Sequence, residues 1–268
     1  MFDPPDYSVI EGTEAAYRGF FPRQEPAYTP PGDFDFMVPV AQGVEVGCRF
    51  YPSEPAAPSI LYFHGNGEIV SDYDDVAPLY TRAGMNLAVA DYRGYGFSTG
   101  MPSFPTMLSD AHQVLHTCQE FLKGRGFTGP LFIMGRSMGC HSAVELAAHH
   151  PDAFKGLITE SGSTSAARMV GYLESAGRSA EAAELQRRHT DKLRAIALPV
   201  LVLHGEWDEL IPLERAVEFF NTLTTEEKRM EVIPGAGHND ILWVGRQQYM
   251  TAIQEFVLGI AGARNLGV

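Results

Sequence analysis

Six predominantly apolar runs recur along the chain, at 60–63, 87–90, 131–134, 156–159, 200–203 and 230–233. Few of them alternate with polar residues, so each predicts a strand covered on both faces, which is the signature of a parallel sheet. The segments between them have helical length and spacing, at 76–83, 106–124, 139–149, 214–223 and 246–258. Alternating strands and helices predict an α/β fold with helices on both faces of the sheet. Upstream, 36–40 and 44–51 read as two further strands joined by a turn at Gly43, which brings the predicted sheet to an eight-stranded, mostly parallel type.

Two stretches depart from this rhythm. Residues 1–33 carry Pro4, Pro5, Pro22, Pro26, Pro30 and Pro31 among Tyr7, Tyr17, Phe20, Phe21 and Tyr28. Such an aromatic segment is expected to lie as a strap over the domain formed by 34–268, with a short helix near 11–18. Between the fourth and fifth runs an Ala-, Glu-, Leu- and Arg-rich insertion, 163–196, predicts two short helices forming a small lid. No composition shift marks a second domain.

Composition narrows the partners. The chain has 268 residues, 45% of them hydrophobic and 20% charged, with a formal net charge of -13. A nucleic-acid binder needs a basic face to neutralise phosphates, and no Lys/Arg run longer than a pair exists here. No apolar run approaches the ~18 residues that cross a bilayer, and the acidic, Pro-rich start has no secretory character. Three cysteines, Cys48, Cys118 and Cys140, lack metal-ligand spacing and are expected as free buried thiols in a reducing compartment. The expectation is a cytoplasmic protein with a small-molecule partner, without nucleic acid, membrane, cofactor or metal.

Ligands of an open parallel sheet bind beyond the carboxyl ends of its strands. Reactive residues collect after these runs: His64-Gly65-Asn66-Gly67-Glu68, Asp91-Tyr92-Arg93, Ser137, Glu160-Ser161, Glu206-Trp207-Asp208 and Gly237-His238. Ser137 stands in Gly135-Arg136-Ser137-Met138-Gly139, between a strand and a helix. Glycines on both sides of a sharp turn hold the hydroxyl exposed, and a base must take its proton before it is a good nucleophile. His238 is the base expected to do so, with Asp208 orienting the imidazole and Glu206 the competing carboxylate. Backbone N–H groups of Met138 and of Asn66, or else Gly67, are expected to receive the developing oxyanion. Gly67, Glu68, Arg136, Ser161, Trp207 and Ile241 are candidates for the substrate pocket, with Tyr95, Phe97 and Trp243 as further aromatic candidates.

With these motifs assembled, the chain resembles the α/β-hydrolase superfamily, and within it the Bem46-like and serine aminopeptidase S33-like serine hydrolases. The matching pieces run from Tyr62-Phe63-His64-Gly65-Asn66-Gly67 through Asp91-Tyr92-Arg93-Gly94-Tyr95-Gly96, the Ser137 pentapeptide and His204-Gly205-Glu206-Trp207-Asp208 to Gly237-His238. They span about residues 34–260. The resemblance implies cofactor-free hydrolysis of an ester, thioester or amide through an acyl-enzyme. Arg136 departs from the histidine common beside the nucleophile and adds positive charge there, and Asp240 brings a carboxylate close to His238.

The expected function is a carboxylesterase acting on small or medium acyl chains, since the insertion is short for a lipase working at an oil interface. An aminopeptidase, amidase or thioesterase is the alternative, with Glu68 and Glu160 as anchors for a substrate ammonium. A non-catalytic binding protein on the same fold is the reading from another class. A serine at position 137 argues against a dehalogenase, which uses aspartate there.

Overall fold

The computed structural model describes residues 2–25, 34–162 and 164–263. Pro26, Tyr28, Pro30 and Pro31 of the expected strap, and Ser163 at the start of the expected insertion, lie outside the described residues. Among the described residues the eight strands are β1 (Asp35–Ala41), β2 (Val44–Tyr51), β3 (Ser59–Phe63), β4 (Asn86–Ala90), β5 (Leu131–Arg136), β6 (Leu157–Glu160), β7 (Val200–Gly205) and β8 (Lys228–Ile233). They form one sheet in the order β1-β2-β4-β3-β5-β6-β7-β8. β2 pairs antiparallel with β1 and with β4, and every other pairing is parallel. The β1–β2 turn uses Gly43 at φ +69°, a conformation glycine adopts without penalty.

The described helices are α1 (Glu14–Tyr17), α2 (Ala77–Arg82), α3 (Phe104–Gly124), α4 (Gly139–His149), α5 (Ala167–Ser175), α6 (Ser179–Arg194), α7 (Leu213–Thr222), α8 (Ile241–Val244) and α9 (Arg246–Ala263). α3 begins two residues before the expected Thr106 because Ser103 caps it. The Ser103 hydroxyl accepts from the Thr106 N–H and the Thr106 hydroxyl accepts from the Ser103 N–H, while Pro105 sits in the first turn where its missing donor costs nothing. The helix expected at 11–18 is instead a 3-10 turn, Tyr7–Ile10, followed by α1. α8 was not foreseen, since four residues carry too little periodicity to read.

Strands β3 to β7 are buried along their whole length, so their side chains feed two cores. Leu61, Phe63 and Ile133 face the core shared with α3, α4 and the insertion. Ile60, Tyr62, Phe132 and Met134 face the core shared with α2 and α9. Parallel register aligns the strand ends: Phe63 pairs with Gly135, Arg136 with Glu160, and Gly205 with Ile233. The loops that follow therefore leave the sheet along one edge. Among the described residues no helix is long and apolar enough to cross a membrane.

Candidate active site

Ser137 leaves β5 with φ +51°, a left-handed conformation that a non-glycine residue adopts only under local constraint. The constraint is visible on both sides. A Cβ on Gly135 would lie 2.4 Å from the Gly139 carbonyl oxygen, and one on Gly139 would lie 2.1 Å from that of Phe63. Glycine at both positions lets α4 start directly against the neighbouring strand and turns the Ser137 hydroxyl outward.

The Ser137 Oγ lies 3.0 Å from His238 Nε2, and His238 Nδ1 lies 2.8 Å from Asp208 Oδ2. Asp208 reaches this place on the loop after β7, where its other oxygen accepts the N–H groups of Leu210 (3.0 Å) and Ile211 (2.7 Å). Burial would raise the Asp208 carboxyl, but the His238 hydrogen bond and the Ile211 N–H hold it below the usual carboxylate range. An ionised carboxylate at Nδ1 fixes the tautomer that leaves Nε2 free to accept a proton. Glu206, the competing carboxylate, instead accepts the Gly235 N–H at 2.9 Å. Asp240 likewise accepts a backbone proton, from Gly237 at 2.7 Å, and so shapes the loop that presents the imidazole.

Behind these groups stands Arg136, 9% exposed. Its Nε donates to Glu160 (3.1 Å), Nη1 pairs with Glu68, and Nη2 donates to the carbonyl of His238 (3.0 Å) and to Asn239 Oδ1 (3.1 Å). Burial disfavours its charge, but Glu160 and Glu68 more than compensate and raise its proton affinity. One guanidinium thus ties the residue next to the elbow to the loop carrying the imidazole. Gly65 makes room for it, since a Cβ there would lie 2.5 Å from Nη1.

Asn66 and Met138 line the same cavity as Ser137, a space of about 280 Å³. Met138 precedes the first turn of α4 with no side-chain cap, and of the donors at that helix end Cys140 and His141 bond the carbonyls of Ser137 (3.2 Å) and Met138 (3.1 Å). The Asn66 side chain is fully engaged: Oδ1 accepts from Tyr95 Oη (2.6 Å) and from the Phe21 N–H (2.9 Å), and Nδ2 donates to the Gly19 carbonyl. Among the described residues, neither the Asn66 nor the Met138 backbone N–H donates to another protein group.

The remaining pocket candidates fall elsewhere. None of Gly67, Glu68, Arg136, Ser161, Trp207 and Ile241 lines the cavity at Ser137. Glu68, Arg136 and Ile241 line a separate cavity of about 210 Å³ on the α2 and α9 side of the sheet. Gly67 turns the loop at φ +79°. Ser161 is buried, with φ +48°, and Trp207 is 68% exposed. Tyr95, Phe97 and Trp243 also stay out of the cavity at Ser137. The wall that sequence reading missed comes from Gly19 and Phe20, from Phe104 of α3, from His141, and from Arg168 and Met169 of α5. Of these only His141 carried a signal, one helical turn beyond Ser137. Burial, with the charges of Lys192 and Arg168, pushes its imidazole down to about 3, so it is neutral.

Residues 54–174 and 170–242 match the protein-family model described as serine aminopeptidase, S33. An uncharacterised protein of Mycobacterium tuberculosis is 30% identical over 232 residues, which cover 85% of this chain and 80% of that protein. Protein bem46 of Schizosaccharomyces pombe is 31% identical over 198 residues, 70% of this chain and 64% of that protein. Among solved structures, a Pyrococcus furiosus esterase superposes with a TM-score of 0.69 at 17% identity, covering 89% of this chain and 98% of that one. At that identity the superposition establishes the α/β-hydrolase fold.

Proposed function

The chain belongs to the serine aminopeptidase S33 family, as a Bem46-like α/β-hydrolase, and from that premise we propose that it is a serine hydrolase cleaving small or medium-chain carboxylic esters. The observation that carries this reading is the continuous contact from Ser137 Oγ through His238 to Asp208, at 3.0 and 2.8 Å. In the first half-reaction His238 Nε2 takes the Ser137 proton as Oγ attacks the acyl carbon. The resulting oxyanion is received by the N–H groups of Met138 and Asn66, and each such donor is worth roughly 3 kcal/mol in comparable sites. Collapse expels the alcohol, which leaves with the proton held on His238, and an acyl-Ser137 ester remains. Water then repeats the sequence, giving its proton to His238 and releasing the acid.

The cavity is small for this chemistry, below the ~300–1,000 Å³ typical of drug-sized ligands, which favours short acyl groups. The aminopeptidase alternative needs a free carboxylate for the substrate's ammonium. Glu68 and Glu160 are both paired with Arg136, and Glu160 also accepts from Tyr249 at 2.6 Å, so neither supports that role. Residues 2–25 act as a strap and α5, packed on α6, as part of a small lid, in this reading, because Gly19 and Phe20 of the one and Arg168 and Met169 of the other contribute wall to the cavity at Ser137. Three free, buried thiols support a cytoplasmic location.

A fluorophosphonate probe is expected to label the protein once, on Ser137. Ser137→Ala should abolish both labelling and turnover of p-nitrophenyl butyrate. Turnover that survives intact in this variant removes Ser137 from the chemistry.

A further inference from the structure

Far along α4 from Ser137, a second polar cluster joins this helix to α3. Glu145 and His149 are four residues apart on one face of α4, and His112 approaches from α3. One nitrogen or oxygen from each lies within 4.8 Å of the other two. The Glu145 Oε1 is 3.1 Å from His149 Nδ1 and 3.6 Å from His112 Nε2, and His149 Nδ1 also donates to the Glu145 carbonyl at 2.8 Å, a proton that an ion bound at Nδ1 would displace. Two ligands of a tetrahedral zinc, each about 2.0–2.1 Å from the ion, stand about 3.4 Å apart. The two measured separations straddle that value.

The groups behind His112 and Glu145 are arranged as outer partners of metal ligands usually are. Metal-binding imidazoles hold their second nitrogen in a hydrogen bond, and ligating carboxylates are hydrogen-bonded in turn. Here His112 Nδ1 is 2.7 Å from His150 Nε2, which leaves Nε2 of His112 directed at Glu145. The second Glu145 oxygen accepts from the buried Lys192 at 2.7 Å, leaving Oε1 free toward the two imidazoles. His112 and His149 keep 31% and 24% of their side-chain surface exposed, which gives an ion a route in. The last turn of α4 adds the negative end of its dipole beside His149 and His150.

We propose that His112, Glu145 and His149 form a zinc site, with His150 and Lys192 holding the ligands and water completing the coordination. It clamps the far end of the elbow helix to α3 and is independent of the hydrolase reading. Spacing along the chain pointed to no metal because the set is completed only when α3 meets α4.

The test uses untagged, full-length protein stripped with EDTA and dialysed, titrated with zinc chloride calorimetrically. One zinc per chain at micromolar affinity or better is expected, with a rise in thermal midpoint. His112→Ala and His149→Ala should each abolish this binding, and His150→Ala should weaken it about 10- to 100-fold. Cobalt(II) should give the intense visible absorption of a four-coordinate site in the wild-type protein and lose it in the same variants. No binding to the wild-type protein, or equal binding by wild type and both histidine variants, overturns the proposal. If one ligand variant does not fold, as judged by circular dichroism, the other and the cobalt spectrum of the wild type decide.

Discussion

At the scale of single residues, the strain at Ser137 has an identifiable source. A φ of +51° is held by a glycine on each side and by the Ser137 N–H, which donates to the Glu160 carbonyl at 2.8 Å. Arg136 then couples this turn to the imidazole loop through the His238 carbonyl, so the residue expected to face substrate serves the framework instead. Its two carboxylate partners explain why: a cation buried this deeply is tolerated only when paired. Asp208 has the cleanest test. Asp208→Asn keeps shape and size but loses the charge that selects the His238 tautomer, and kcat for p-nitrophenyl butyrate should fall roughly 10³- to 10⁴-fold with little change in thermal midpoint. A loss below tenfold would mean that Asp208 does not orient His238.

At the scale of elements, the N-terminal turn is part of the interior. Tyr7 Oη accepts from Lys192 Nζ at 2.6 Å and lies 2.7 Å from His189 Nδ1, while His189 Nε2 lies 2.6 Å from the Thr164 carbonyl. Glu145 closes the chain on the other side of Lys192. One tyrosine thereby links α4, α6 and the start of the insertion. Tyr7→Phe keeps the ring and leaves Lys192 and His189 each one partner short, so urea denaturation should show a loss of about 1–3 kcal/mol. An unchanged midpoint would show that water replaces the hydroxyl. The same argument explains the cavity wall: Gly19 and Phe20 reach Ser137 because Asn66 binds the Gly19 carbonyl and the Phe21 N–H.

At the scale of the whole molecule, buried neutral histidines set the acid limit of stability. Burial and the Lys192 charge push His189 down to about 4, against the Thr164 carbonyl that partly restores it. Unfolded, the same ring binds a proton near pH 6.5. Between those values the unfolded state holds the extra proton, so stability is lost as pH falls, by about 1.4 kcal/mol per unit. His189→Gln keeps a donor and an acceptor but does not titrate. Between pH 7 and pH 5 the wild-type protein should therefore lose about 2 kcal/mol more than this variant in urea unfolding. Parallel curves would show that His189 is protonated in the fold.

Much of this architecture was legible along the chain because it is local. Doubly apolar runs mark strands buried on both faces, except at the sheet edge where β8 is half-exposed, helical spacing marks their covers, and glycines flank the sharp turn at Ser137. Strand-end position also placed Ser137, Asp208 and His238 on a common edge, since parallel strands carry their following loops to one side. The cavity wall, the pairing of Arg136 with two glutamates, and the meeting of His112 with Glu145 and His149 were decided only in three dimensions. Each depends on which side chains from distant segments converge on one point, and periodicity specifies a face of an element without specifying the neighbour that face will meet.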